Sequence, residues 1–295
     1  MVNFFNGVAT AMITPFKDGT VNLEELGTLI EFQIERGTDA LVILGTTGEP
    51  STMTEDEKTA VITYSVEKAA GRVKIIVGTG SNDTQKAIAA SKRAQELGAD
   101  GVLAVTPYYN KCTQNGLYQY YKDICDAVTI PVIAYSVPSR TGVNILPETA
   151  ERLAEIPNMA GIKDACGNMA QTCEIMRRIR GKCDLYSGED CLNLPILAIG
   201  GAGVISVVSN IVPEQVKEVY TLVKKGDFGG ANELQDSLLP LINACFIEVN
   251  PIPVKAACNM LGFIVGAPRP PLTKLEEEHE KVLFNELKKA VKIRW

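Results

Sequence analysis

The stretch Gly37-Thr38-Asp39-Ala40-Leu41-Val42 decides the fold of this chain, because it recurs in altered form as Gly98-Ala99-Asp100-Gly101-Val102-Leu103. In both places a glycine closes an amphipathic helical pattern, and a short apolar run typical of a buried strand follows at once. The helix before Gly37 also has a plausible start, since Asn22 and Glu25 stand at capping-box spacing. The repetition indicates a chain built of successive βα units.

Strand-like runs recur along the chain and are separated by amphipathic helical stretches. They are apolar throughout rather than alternating, which is typical of parallel strands buried on both faces. Eight such runs can be counted: Val8 to Ile13, Ala40 to Leu44, Lys74 to Gly78, Gly101 to Val105, Pro131 to Tyr135, Met159 to Lys163, Asp184 to Ser187 and Gly203 to Val207.

Eight βα units predict an α/β fold, specifically a (β/α)8 TIM barrel with a ring of outer helices. The alternative is a doubly wound open sheet. Its dinucleotide-binding fingerprint fails here, because Gly78-Thr79-Gly80 is followed by Ser81-Asn82-Asp83 and the third glycine is missing.

After about residue 226 the strand pattern stops and only helical patterns remain. They cover Phe228 to Phe246, Ile252 to Leu261 and Leu275 to Val291. We therefore expect two domains, a catalytic barrel over residues 1–225 and an all-helical C-terminal domain over residues 226–295.

Composition narrows the classes of partner. The formal net charge is -6 and the pI is near 5.1, which argues against nucleic acid or an anionic membrane as a partner. No basic leader precedes an apolar core at the start, and no apolar run reaches about 18 residues. We expect a cytoplasmic protein.

The cysteines and the histidine of the chain give little sign of a metal site or a reactive thiol. Its eight cysteines are scattered without a CxxC pair, so we interpret them as reduced, largely core residues. The single histidine, His279, lies in a charged helical stretch that has the pattern of a solvated face. Because this one histidine lies far along the chain, a zinc site, a Ser-His-Asp triad and a pairing with Cys166 all lose their main residue. We expect neither a metal nor a cofactor.

The candidate chemistry begins at Lys163, which closes the apolar run Met159-Ala160-Gly161-Ile162. A buried ammonium is costly, and burial favours the neutral amine, which is a nucleophile for carbonyl carbon. In a barrel, active sites lie at the C-terminal ends of the strands. Tyr135 ends the neighbouring strand, so its phenol is expected near the amine as a proton shuttle.

Other polar residues follow the same strand ends. Gly45-Thr46-Thr47-Gly48-Glu49 follows the second strand, and Arg140, a natural partner for a carboxylate, follows the fifth. Each also has a structural interpretation, as a tight turn with capping hydroxyls or as a solvated loop residue. Glu189 and Asp190 after the seventh strand would repel phosphate, which favours a carboxylate substrate without phosphate.

Taken together, these motifs resemble the dihydrodipicolinate synthase family of the pyruvate-dependent class I aldolases, within the N-acetylneuraminate lyase superfamily. The resemblance covers nearly the whole chain. It is carried by Gly45 to Glu49, by Tyr135 with Ser139-Arg140-Thr141-Gly142, by Gly161-Ile162-Lys163-Asp164, by Thr106-Pro107-Tyr108-Tyr109-Asn110, by Gly203-Val204-Ile205-Ser206 and by Asn250-Pro251-Ile252-Pro253-Val254-Lys255.

The resemblance implies a condensation of pyruvate with L-aspartate 4-semialdehyde through a Schiff base on Lys163. It implies that Tyr135 moves protons through Thr46 and through Tyr109, which a neighbouring subunit of a homotetramer supplies. Four further residues match substrate-binding or site-supporting positions of the family: Thr47, Arg140, Gly188 and Ile205.

Other functions stay open at this point. N-acetylneuraminate lyases and 2-keto-3-deoxygluconate aldolases share the lysine chemistry, although Thr47 and Arg140 favour the synthase. A non-catalytic barrel that binds a small acid is disfavoured by the intact reactive set. A metal-dependent aldolase using Glu189 and Asp190 is disfavoured because the chain has a single histidine.

Several residues at the positions of the family's inhibitor site depart from the family pattern. Lysine-inhibited members commonly carry histidines near the positions of Glu55 and Lys58 and an acid where this chain has Lys86. Asn82 and Tyr108 still match the inhibitor site. We expect weak or absent inhibition by lysine.

Overall fold

A closed parallel barrel forms the centre of the computed structural model, which describes residues 4–291. The strands are β1 (Gly7–Ala11), β2 (Phe16–Lys17), β3 (Thr20–Val21), β4 (Ala40–Ile43), β5 (Lys74–Gly78), β6 (Gly101–Val105), β7 (Val132–Ser136), β8 (Met159–Asp164), β9 (Asp184–Ser187) and β10 (Gly203–Ser206). All except β2 and β3 form the barrel, in the order β1-β10-β9-β8-β7-β6-β5-β4. The predicted TIM barrel is confirmed.

The helices lie between the barrel strands and after them. They are α1 (Leu23–Glu35), α2 (Glu55–Ala69), α3 (Thr84–Glu96), α4 (Gln114–Ala127), α5 (Pro138–Thr141), α6 (Pro147–Leu153), α7 (Met169–Ile179), α8 (Asn193–Ala198), α9 (Pro213–Lys225), α10 (Phe228–Ala244), α11 (Ile252–Met260) and α12 (Glu277–Ala290).

The helix start predicted at Asn22 has a side-chain cap, and so does the start of the next helix. The Asn22 side chain accepts a hydrogen bond from the backbone N–H of Glu25, and Thr54 and Glu57 form a complete reciprocal capping box. These caps satisfy N–H groups that have no partner within the first turn. They fix the residues at which α1 and α2 begin.

The short hairpin of β2 and β3 is a feature that the sequence patterns did not predict. It pairs Phe16 with Val21 and Lys17 with Thr20 in antiparallel register. Its two-residue strands are too short for hydrophobic periodicity to show.

The register of β7 against β8 positions the candidate chemistry. Tyr135 lies opposite Lys163, and Ser136 lies opposite Asp164. Parallel register places both C-terminal ends at the same mouth of the barrel. The expected pairing of the phenol with the amine is therefore built into the sheet.

Helices α10, α11 and α12 follow the predicted boundary at residue 226. They match the three predicted helical stretches closely, and α10 reaches the barrel, since Gln235 Nε2 donates to the backbone oxygen of Asp190 at 2.9 Å. The division into two domains stays a prediction. None of the helices within residues 4–291 is long and apolar enough to cross a membrane.

Candidate active site

A cavity of about 290 Å³ opens at the C-terminal mouth of the barrel. Five strands contribute its floor and walls, and the loops after them contribute the rim. The strand residues are Ala11, Val42, Leu103, Tyr135 and Lys163. Barrel closure therefore brings together side chains that are far apart in the sequence.

Lys163 is the buried amine of this cavity. Lys163 is only 5% exposed, and its Nζ lies 4.1 Å from the centre of the Tyr135 ring. Burial lowers the pKa of the amine to about 7; the charge of Asp190 opposes this shift and that of Arg140 adds to it. Near neutral pH a large fraction of the amine is thus unprotonated and nucleophilic.

Tyr135 is the proton-bearing neighbour of the amine. Burial raises the pKa of its phenol to about 12, while Arg140 and a hydrogen bond with the Thr46 side chain act in the opposite direction. The phenol consequently keeps its proton at neutral pH. It can donate to an oxygen that forms beside Lys163 and recover a proton through Thr46.

The two threonines lie on a tight turn directly after β4. Thr46–Gly48 is one 3-10 turn, preceded by Leu44 at φ 54 and followed by Glu49 at φ 56. Thr46 and Thr47 both line the cavity. Left-handed backbone at two residues that are not glycine is costly, so the surroundings must hold the turn in place.

Arg140 lies on the short helix α5 and also lines the cavity. One of its guanidinium nitrogens, Nη2, donates to the backbone oxygen of Asn250 at 3.3 Å. A planar guanidinium at the rim offers the geometry that a substrate carboxylate needs.

Gly188 lies against the Lys163 side chain. A Cβ atom at this position would come within 2.9 Å of Lys163 Cε and 3.0 Å of Ala165 Cβ. Only glycine lets the amine lie this close to the loop after β9. Gly188 therefore shapes the space around the nucleophile.

Two predicted site residues do not line the cavity. Tyr109 is 91% exposed, at a φ of 69, and Ile205 is buried inside β10. A single chain thus gives Tyr109 no contact with the amine. The resemblance had assigned this tyrosine to a neighbouring subunit, and its exposure is compatible with that arrangement.

The two acids after β9 have different surroundings. Glu189 lines the cavity, whereas Asp190 is buried and accepts hydrogen bonds from the backbone N–H groups of Val207 and Val208, each at 2.9 Å. Asp190 therefore supports the segment directly after β10 and does not line the cavity, although its charge reaches Lys163. Of the two acids, Glu189 is the one that a phosphate in the cavity would meet.

Sequence reasoning missed the contribution of the chain after α9. Ile242, Asn243, Phe246 and Asn250 all line the cavity. The Asn250 side chain donates to Thr47 Oγ1 at 2.9 Å, and its Oδ1 has no partner among the described residues. The signal was present, because the stretch Asn250 to Lys255 carried part of the family resemblance without being assigned a role in the site.

His279 is partly exposed and has an acidic partner from outside its own helix. Its Nδ1 lies 2.7 Å from Glu248 Oε1, and its side chain is 34% exposed. The carboxylate of Glu248 also accepts from the backbone N–H of Glu276. These three residues have potential metal ligands within 4.8 Å of one another, but none of them lines the cavity.

Comparison with known proteins gives a consistent match. A model of the dihydrodipicolinate synthetase family matches residues 4–290. The 4-hydroxy-tetrahydrodipicolinate synthase of Caldicellulosiruptor bescii is 52% identical over 283 residues, which are 96% of this chain and 96% of that protein.

Solved structures agree with this match. The dihydrodipicolinate synthase from Thermotoga maritima is 44% identical, with a TM-score of 0.96 over 97% of this chain and 99% of that chain. A chloride-inhibited dihydrodipicolinate synthase from Acinetobacter baumannii, complexed with pyruvate, is 45% identical, with a TM-score of 0.95 over 97% of this chain and 99% of that chain.

Proposed function

The chain belongs to the dihydrodipicolinate synthetase family, and from this membership we propose that it condenses pyruvate with L-aspartate 4-semialdehyde to 4-hydroxy-tetrahydrodipicolinate. The reaction is a Schiff-base lyase or synthase step of the class I aldolase type, in the diaminopimelate route to lysine. The observation that carries this proposal is the buried amine of Lys163 at the barrel mouth beside Tyr135, where burial lowers the pKa of the amine to about 7.

The first half of the reaction uses Lys163 as nucleophile. Its neutral amine adds to the keto carbon of pyruvate, and the resulting carbinolamine loses water to give an iminium ion. The positive nitrogen acidifies the pyruvate methyl group, which releases one proton and leaves an enamine. This enamine is the carbon nucleophile of the condensation.

The second half forms and releases the product. The enamine carbon adds to the aldehyde carbon of L-aspartate 4-semialdehyde, and the new alkoxide takes up a proton. The amino group of the same substrate then displaces Lys163 from the imine carbon and closes the ring. Lys163 leaves as the free amine, and the net by-product is the water lost in forming the first iminium ion.

Tyr135 is proposed to carry the protons of these steps. Its phenol lies beside the amine and is hydrogen bonded with Thr46. The relay would continue to Tyr109 of a neighbouring subunit, within a homotetramer. The exposure of Tyr109 supports this placement, since an isolated chain leaves its ring in solvent.

Four further residues are proposed to hold the two substrates. Thr47, Gly188 and Ile205 bind pyruvate or support its site, and Arg140 binds the carboxylate of the aldehyde substrate and orients Tyr135. Thr47, Gly188 and Arg140 line the cavity around Lys163, which supports their roles. Ile205 would act from within β10, through its backbone or through packing.

We also propose a cytoplasmic location, in which the eight scattered thiols would stay reduced. Neither nucleic acid nor a membrane is part of the proposed reaction. The proposal requires no metal and no cofactor, because Lys163 supplies the electrophilic activation that a metal would otherwise provide.

The experiment that tests the function is a comparison of second substrates. Purified protein is supplied with pyruvate and either L-aspartate 4-semialdehyde or the aldehydes from which sugar-acid aldolases build their products, in buffer with and without EDTA. We expect turnover of pyruvate with the semialdehyde and not with the other aldehydes, at a rate that EDTA does not change. Turnover with sugar-acid substrates and none with the semialdehyde would overturn the proposal.

A further inference from the structure

A buried ion pair lies behind the threonine turn, outside the cavity. Lys255 Nζ is 2.8 Å from Glu49 Oε1, and their side chains are 0% and 2% exposed. Neither residue lines the cavity. Burying two charges is expensive, so such a pair persists where it fixes a particular arrangement.

The Glu49 carboxylate is bound on both of its oxygens. Oε1 accepts from Lys255, and Oε2 accepts from the backbone N–H of Arg269 at 2.8 Å. Glu49 is also the left-handed residue that ends the turn carrying Thr46 and Thr47. The two hydrogen bonds therefore hold a strained backbone conformation directly after the threonines.

The Lys255 amine also reaches this end of the turn by a second route, through Thr14. It donates to the backbone oxygen of Thr14 at 2.9 Å, and the Thr14 hydroxyl in turn donates to the backbone oxygen of Gly48 at 2.7 Å. Burial lowers the pKa of this amine, and the Glu49 carboxylate opposes that shift. One ammonium thus holds the end of the turn at two successive residues, Gly48 through Thr14 and Glu49 directly.

Lys255 is also linked to the rim of the cavity through its own helix. It lies on α11, which begins at Ile252, two residues after Asn250. The Asn250 side chain donates to Thr47 Oγ1, and its backbone oxygen accepts from Arg140. The turn and the guanidinium are consequently held by the same segment of chain.

We propose that the Glu49–Lys255 pair is a positioning device for the reaction: it sets the Thr46–Thr47 turn against Lys163 and Tyr135 without touching the substrate. This inference rests on the proposed function for the roles of the two threonines. It assigns a task to the last residue of the Gly45 to Glu49 motif and to a lysine that the reaction itself does not use.

The test removes both charges together, in Glu49→Gln/Lys255→Met. A single substitution would leave one buried charge without its partner and can prevent folding. The matched control is Asp39→Asn/Lys217→Met. Lys217 is likewise paired with a carboxylate, and the Asp39 carboxylate likewise accepts from a backbone N–H, that of Val8 at 2.7 Å. Asp39 directly precedes β4, whereas the threonine turn follows the other end of that strand.

We expect the folded double variant to raise KM for pyruvate and to lower kcat, with kcat/KM reduced by about tenfold to a hundredfold. Misplacing Thr47 acts on pyruvate binding, and misplacing Thr46 acts on proton transfer. The control pair should lower thermal stability and leave both constants unchanged. A double variant that folds and keeps wild-type kcat and KM would overturn the inference, as would losses that merely follow its unfolded fraction.

Hydrogen exchange gives a readout that needs no substrate. The backbone N–H groups of Gly48 and Glu49 donate to Gly45 and Thr46 at 2.9 and 3.3 Å, so their exchange reports on the turn. We expect exchange to accelerate at least about tenfold in Glu49→Gln/Lys255→Met and not in the control. Unchanged exchange would refute the positioning role. If the wild type formed no pyruvate adduct, the proposed function would fail, and this measurement would still decide the inference.

Discussion

The reactivity of Lys163 should depend on pH in a way that an ordinary lysine does not. Burial lowers its pKa from 10.5 to about 7. At pH 7 about half of this amine is neutral, compared with about one exposed lysine amine in 3,000. The perturbation is therefore a simple change of pH between 6 and 9, applied to the unmodified protein.

The expected rates follow from the neutral fraction. With a pKa of about 7, adduct formation with pyruvate should rise about fivefold from pH 6 to pH 7 and only about twofold from pH 7 to pH 9. An amine with an unshifted pKa would instead gain about a hundredfold between pH 7 and pH 9. The second interval separates the two cases.

The assay is rapid trapping with pyruvate and cyanoborohydride, followed by intact mass measurement. A short peptide with one exposed lysine, treated in parallel, corrects for the pH dependence of the reductant. A corrected rate that levels off above pH 7 supports a buried, neutral amine. A corrected rate that climbs about tenfold per pH unit up to pH 9 would refute the explanation by desolvation.

Three further outcomes can be measured on the same protein. Lys163→Met should raise the free energy of unfolding at pH 7.5. This gain over the wild type should shrink by up to about 1.4 kcal/mol per pH unit as pH rises toward 10, because there Lys163 keeps its proton only in the unfolded wild-type chain. Urea denaturation at three pH values that gave a constant difference in unfolding free energy would contradict this. Tyr135→Phe keeps the aromatic ring under the amine but removes the phenolic hydroxyl. We therefore expect kcat to fall by about a hundredfold to ten-thousandfold while the midpoint of thermal unfolding stays unchanged. Steady-state activity near that of the wild type would exclude Tyr135 as the proton carrier. Millimolar L-lysine should leave activity nearly unchanged, because Lys86 repels the ammonium of the inhibitor, and a steep fall in a lysine titration would count against this.

Much of the fold could be predicted because its signal is local and repeated. The predicted bounds of Lys74–Gly78, Gly101–Val105 and Asp184–Ser187 agree with β5, β6 and β9 residue for residue. A parallel strand buried on both faces is apolar along its whole length, and a glycine or a polar turn ends it. A buried polar residue, Ser136 or Asp164, extends β7 and β8 by one residue beyond the predicted end, and β1 ends two residues before its predicted end.

The chemistry at the strand ends was predictable for a related reason. Once a barrel is inferred, the last residue of each strand lies at the mouth, so Lys163 and Tyr135 follow from sequence position alone. Their roles in the reaction came from the family resemblance and stay a proposal. The shift in the pKa of Lys163 required the structure, since it depends on how completely the cavity excludes water.

Long-range polar contacts could not be predicted from the sequence. Asn250 reaches Thr47 across 203 positions, and Lys255 reaches Glu49 across 206. No periodicity connects residues at such separations. Nor did the sequence indicate that the His279 ring lies 2.7 Å from the carboxylate of Glu248, 31 positions away.

The most direct measurement is to locate the pyruvate-derived mass after reduction with borohydride. The protein is incubated with pyruvate, reduced and digested, and the peptides are sequenced by mass spectrometry, with Lys163→Met as the control. We predict the added mass on Lys163 in the wild type and on no peptide of the variant. Modification of a different lysine, or no modification at all, would contradict the Schiff-base chemistry assigned to this site.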